Sequence, residues 1–247
     1  MNPKLTIFAS GTKDSGGSGF ENLAKATKTG ILEAEIVAVV SNHEHGGVRE
    51  RADRLRIPFI YFNSYASNYS QILENLRIDR REVGTESAPK NGSAISGLTP
   101  WSQRDFTGWV ALSGWMKQVK GLDPQRTFNI PPALLSFDGG RFGGKGMYGH
   151  HIHDAVKAAF DAGEITESGC SMHFVTNEYD RGPVFFEYRI PLKRGMTAKE
   201  IERAVNKAEH EWQPKITNMV VHGEIRWDGK NLDSLVVPDG YQYLPKA

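Results

Sequence analysis

The side chains able to do acid, base or electrostatic chemistry fall into a few places in this chain. Asn129 closes a short apolar run in FNIPPALLSFDGG (128–140), and Pro131 and Pro132 follow almost at once. Its neutral amide is either a turn residue or a donor aimed at a developing oxyanion. Asp180 stands in NEYDRGPVFF between two strand-like runs, with Gly182-Pro183 turning the chain behind it. There it is either a turn aspartate bonding its own backbone or a carboxylate that takes or relays a proton. His150, His151 and His153 crowd together in YGHHIHD. Offsets of one and three at a helix start do not gather three imidazoles on one point. Capping and surface placement are expected for them, and no metal site.

The remaining candidate is backbone. GTKDSGGSG (11–19) lies between an apolar run and a helical pattern, where N–H groups and the helix dipole favour an anion. The pattern is not a dinucleotide fingerprint, because Gly17-x-Gly19 is followed by Asn22 where a third glycine belongs. Nor does the second strand end in the acid that would hold a ribose; it ends in Ser41-Asn42. No Gly-Lys-Ser/Thr follows either, so this is not a P-loop. The loop is either an ordinary turn or, as the geometry of such helix starts favours, a phosphate monoester site at Gly17, Ser18 and Gly19.

The elements that must position these groups alternate. Strands are expected at 4–10, 35–41, 58–62 and 109–112, with helices at 20–28, 47–55 and 67–76. That order implies crossover units and a mainly parallel sheet. The stretch 80–106 is rich in Ser, Gly, Pro, Thr and charge without an apolar period, and reads as an exposed, partly mobile insertion. Farther on, a helix is expected at 150–162, strands at 169–176 and 184–192, and a short last strand at 224–227. Thr197-Ala-Lys-Glu200 reads as a capping box, with Met196 and Ile201 placed as a hydrophobic staple. Pro214 should kink the helix that follows and leave the His210 carbonyl without its usual donor.

Composition sets the outer limits. A chain of 247 residues, 39% hydrophobic and 24% charged, is a globular one with room for a sizeable core. A formal net charge of +1 gives no field that would draw nucleic acid or an anionic membrane. One cysteine, Cys170, excludes an internal disulfide and a CxxC motif. No apolar run approaches the ~18 residues of a membrane span, and MNPKLTIFASG turns polar too soon for a signal peptide. A soluble cytoplasmic protein is expected.

Five ordered segments go further: VALSGWMKQV (110–119), FNIPPALL (128–135), FGGKGMYG (142–149), SMHFVTNEYDRGPV (171–184) and AEHEWQP (208–214). With these the chain resembles the phosphoribosylglycinamide formyltransferases, or GAR transformylases, over most of its length apart from 80–106. The resemblance implies an α/β fold with an open, mainly parallel, Rossmann-like sheet and helices on both faces. It implies a single domain, 1–247, whose amino-terminal half (1–127) binds the phosphoribosyl substrate and whose carboxyl-terminal half (128–247) helps form the folate cleft. The implied reaction moves a formyl group from 10-formyltetrahydrofolate to the amine of glycinamide ribonucleotide in purine biosynthesis, without a metal and in a monomer or homodimer. The glycine-rich loop would hold the ribose phosphate, although TKDSGG looks inserted and the family's Ser/Thr-Asn after the last glycine is absent. Glu209 would contact the glycinamide end. Met116, Lys117, Val119 and the segment with Val175, Glu178, Tyr179 and Asp180 would border the folate, as would Asn129.

The same resemblance implies a catalytic set of an asparagine, a histidine two residues later and a distal aspartate. Asn129 and Asp180 match, but Pro131 occupies the histidine position. Proline has no acid, base or backbone donor. An impaired enzyme, or one in which His150, His151 or His173 has taken over, is therefore expected. The alternatives are a non-catalytic binder of folate or a phosphoribosyl ligand, and transfer to another amine. The tRNA-acting version is disfavoured by the lack of a basic carboxyl-terminal extension.

Overall fold

A computed structural model describes residues 1–11, 16–62, 108–115, 119, 121–144, 146–147 and 149–245. The expected helix at 67–76 and the 80–106 insertion lie outside the described residues, as do Met116 and Lys117. Seven strands form one sheet: β1 (Lys4–Phe8), β2 (Glu35–Ser41), β3 (Phe59–Tyr61), β4 (Trp109–Leu112), β5 (Thr127–Asn129), β6 (Glu167–Phe174) and β7 (Val184–Pro191). Their spatial order is β3-β2-β1-β4-β5-β6-β7. The first five run parallel, whereas β6 and β7 join antiparallel. The central strands are near-continuous apolar runs, EIVAVVS in β2 and WVAL in β4, as a sheet covered on both faces requires.

Helices α1 (Ser18–Thr29), α2 (Gly47–Leu55), α3 (His150–Asp161) and α4 (Ala198–Val221) pack on this sheet. The main core gathers Phe20 and Leu23 of α1, Val156 of α3, Phe174 of β6, Phe185 of β7 and Ile201 of α4, all buried. A second, smaller cluster gathers Phe8, Val40, Val110, Leu112 and Trp115, so β1, β2 and β4 have buried residues in both. One expectation fails: 224–227 is not a strand but makes only an isolated bridge, Arg226 to Val236. A single bridge against the carboxyl-terminal segment offers no sheet edge for the run to extend.

Helix α4 starts as expected. Thr197 Oγ1 accepts from the Glu200 N–H at 3.2 Å, and Glu200 accepts from the Thr197 N–H at 2.8 Å. Its interior proline leaves a gap that α1 fills. Asn22 Nδ2 donates to the His210 carbonyl at 2.8 Å, replacing the donor that Pro214 lacks. This single bond ties the first turns of α1 to the turn of α4 that precedes Pro214, next to Glu209. Asn22→Ala should therefore lower unfolding free energy by about 1–2 kcal/mol, because a half-buried carbonyl loses its partner. In a Pro214→Ala background the cost should shrink, since alanine restores the backbone donor; urea titrations of the four proteins would measure the coupling.

Candidate active site

Asn129 is the last residue of β5, and the register sets it beside Leu112 of β4 and opposite His173 of β6. This is where the sheet changes from parallel to antiparallel. The chain leaving β6 turns back over that point and brings Asp180 to it. Asp180 has φ 52°, and a Cβ on Gly182 would lie 1.7 Å from the Phe174 carbonyl oxygen. The turn thus needs a residue tolerant of the left-handed region at 180 and no side chain at 182.

The Asp180 carboxylate collects three partners. Asn129 Nδ2 donates to Oδ1 at 3.2 Å, and the Gly144 N–H donates to Oδ2 at 2.7 Å. His173 Nε2 lies 3.2 Å from Oδ1, while its Nδ1 is 2.8 Å from the Phe174 carbonyl. That carbonyl only accepts, so Nδ1 carries a hydrogen, and a proton between Nε2 and Asp180 is what makes the second contact attractive. Burial pushes the Asp180 carboxyl up, but the His173 hydrogen bond and charge, with Gly144 and Asn129, outweigh it and hold the pKa below the usual value. Gly143 is close-packed for the same purpose, since a Cβ there would meet Leu135 Cδ2 at 2.5 Å.

This cluster borders a cavity of about 630 Å³, the size of a small-molecule site. Asn129, Pro131 and Asp180 line it, as do Gly17, Ser18 and Gly19. Helix α1 has no side-chain cap at Gly17, so the N–H groups of its first turn have no acceptor within the helix. Gly19 permits close packing there, because a Cβ would lie 2.3 Å from Ser113 Oγ. Along α4, Glu202, Asn206 and Glu209 complete the lining at helical spacing. Burial pushes the Glu209 carboxyl up to about 7.

Pro131 is buried at the cavity wall, and its carbonyl accepts from the Ser171 N–H at 3.1 Å. It extends the β5–β6 contact and offers the cavity only carbon.

The comparisons with known proteins agree with this geometry. The formyl transferase family matches residues 109–217, which contain Asn129, Asp180 and Glu209. Phosphoribosylglycinamide formyltransferase of Bacillus subtilis is 27% identical over 228 residues, covering 88% of this chain and 94% of that protein. The chloroplastic enzyme of that name from Arabidopsis thaliana is 28% identical, covering 91% of this chain and 67% of the relative. Over residues 109–217 the chain is similar to the formyl transferases. It spans 62% of another plant relative, from Vigna unguiculata, and 19% of the trifunctional purine biosynthetic protein of Gallus gallus. The fold agrees as well: glycinamide ribonucleotide transformylase 1 of Geobacillus kaustophilus superimposes with a TM-score of 0.63 at 26% identity, over 90% of this chain and 100% of that one. The Symbiobacterium toebii transformylase gives 0.67 at 20% identity, over 96% and 95%.

Several expected site residues meet at the cavity: Gly17, Ser18, Gly19, Asn129, Tyr179, Asp180 and Glu209. Val119 and Val175 lie together instead in a small apolar cluster with Leu112 and Trp115, and Glu178 is an exposed turn residue bonded to Thr176. The histidines are a correction. Gly149, not a histidine, is the N-cap of α3, and it makes no side-chain cap. His150 and His151 are exposed, stack at 4.1 Å between ring centroids and do not line the cavity. His153 is buried and does line it. One turn into α3, it shares the arc of Ile152 and Val156 that packs inward. Gly144, Glu202 and Asn206 carry no distinguishing signal in the sequence, save that 202, 206 and 209 fall at helical spacing along α4.

Among these groups Glu209 gives a pH signature. Its folded pKa exceeds the unfolded one, so the folded protein holds the extra proton and stability falls as pH rises from about 4.5 to about 7. Glu209→Gln should flatten that slope and raise the melting temperature at pH 8 more than at pH 5, as read by thermal unfolding across this range.

Proposed function

We propose that this protein transfers a formyl group from 10-formyltetrahydrofolate to the amine of glycinamide ribonucleotide, a step of de novo purine biosynthesis. One observation carries the reading: the Asn129–Asp180 hydrogen bond and the open amino terminus of α1 border a single cavity. An anion-holding end and an oxyanion-holding end within one cavity suit a phosphorylated amine reacting with a carbonyl. In this reading the first turn of α1 binds the phosphate, and Glu209 receives the glycinamide end. Asn129 donates to the formyl oxygen as charge develops on it, and Asp180 fixes Asn129 and orients a water. When bound, 10-formyltetrahydrofolate supplies the carbon that is transferred; Asn129, Tyr179 and Asp180 border it, and Met116, Lys117, Val119, Val175 and Glu178 are the further residues assigned to it. The halves 1–127 and 128–247 then serve acceptor and donor respectively. No described helix is long and apolar enough to cross a membrane, and a cytoplasmic monomer or homodimer acting on small molecules completes the reading.

Pro131 favours a second reading, a protein that binds these ligands without turnover, because carbon alone faces the cavity at that position. Losing one preorganised donor costs about 10²–10³ in rate, whereas holding two reactants together supplies up to ~7–11 kcal/mol. Slow transfer is therefore the expected outcome. Single-turnover formyl transfer should be measurable in the wild type and rise about 10²-fold in Pro131→His. Binding of both ligands with no transfer by either protein would select the second reading. Failure to bind either ligand would sink both.

A further inference from the structure

The reaction proposed above removes one proton from the attacking amine, and a cleft with Pro131 at its wall must accept it elsewhere. Asn129 is an amide and has no basic nitrogen. Asp180 has both oxygens engaged and a lowered pKa. His173 has both ring nitrogens engaged and does not line the cavity. His153 differs on each count. It lines the same cavity as Asn129, Pro131 and Asp180, it is only 4% exposed, and its Nδ1 is buried with no hydrogen-bond partner among the described residues. Buried polar atoms of a folded protein are normally paired, and an orphan in a cavity points to a partner that arrives with ligand.

We propose that His153 is the base of this cleft, its free Nδ1 taking the amine proton, with Glu202 of α4 steadying the imidazolium that forms. The inference rests on the transferase reading. The amine nitrogen forms a bond to the formyl carbon as the bond from that carbon to the donor nitrogen breaks. One proton leaves the amine for His153, and one returns from it, through water, to the donor nitrogen, so atoms and charge balance. The charged groups acting on the imidazole are Glu202 and, on its own helix, Asp154; the cavity also holds Asp180 and Glu209. Burial lowers the His153 pKa against the pull of Glu202 and Asp154. A ring left neutral at physiological pH is the form a base requires.

The test is single-turnover formyl transfer as a function of pH, with glycinamide ribonucleotide affinity measured by calorimetry on the same proteins. His153→Gln should lose about 10²-fold or more in rate and the rising limb of the pH–rate profile, while binding the acceptor within about threefold. Glu202→Gln should move that limb to lower pH, since removing a negative charge lowers the imidazole pKa. Retention of rate and limb in His153→Gln overturns the inference alone. So does a loss of affinity that accounts for the whole loss of rate, which would make His153 a binding residue. If the His153 variant does not fold, an unmoved limb in Glu202→Gln overturns it and a shifted limb supports it. A wild type that binds both ligands and transfers nothing overturns the transferase reading, and this inference with it.

Discussion

The site depends on keeping one carboxylate in place. Asp180 is carried by a turn with a left-handed residue, yet its two oxygens reach across to β5, β6 and the glycine segment at 143–144. A buried carboxylate is costly unless it is paired and hydrogen-bonded. Here the imidazole of His173, an amide and a backbone N–H meet that cost, and in doing so tie the Asp180 turn and the glycine segment to the paired ends of β5 and β6. The edge where β6 turns antiparallel is what allows it, because Asn129 and His173 become direct neighbours across the ladder.

Pro131 changes the chemistry of this edge without disturbing its architecture. Its carbonyl still accepts from Ser171, and Ser171 Oγ donates to the Ala133 carbonyl and accepts from the Leu135 N–H. The next turn is held by Glu187, which takes the N–H and hydroxyl of Ser136. The cavity wall is therefore firmly built while lacking a proton carrier at that position. Where a rigid site has lost one group, substrate orientation and the remaining donors retain their share of the acceleration. The cavity supplies its own imidazole one helix away.

The glycine-loop side of the cavity is organised by packing of a different kind. Helix α4 carries Pro214 in its interior, and Asn22 satisfies the carbonyl that this leaves bare. That bond ties α1 to the turn bearing Glu209, so the uncapped helix end and the half-buried Glu209 carboxyl keep a set separation. Beneath them Gln213 donates to Ser113 Oγ, under the close approach that Gly19 permits.

Local patterns make much of this legible without any tertiary contact. The bounds of β2, α2 and β4 follow from apolar runs and helical spacing, and the capping box at Thr197 follows from four residues. These features depend on neighbours in sequence, where propensity and spacing act. Asn129 and Asp180 are recognisable as polar residues beside turn formers, and Pro214 foretells a bare carbonyl. Their partners are not recognisable. Asn22 is 188 residues from His210, and Asn129 is 51 from Asp180. Nor can the pattern HHIHD tell which histidine faces a cavity, since that depends on where α4 lies against α3. The chain by itself determined which elements form and which residue types stand at their ends; the tertiary structure alone decided which of those ends meet, because a hydrogen bond or a burial is a property of two surfaces and sequence spacing specifies only one of them.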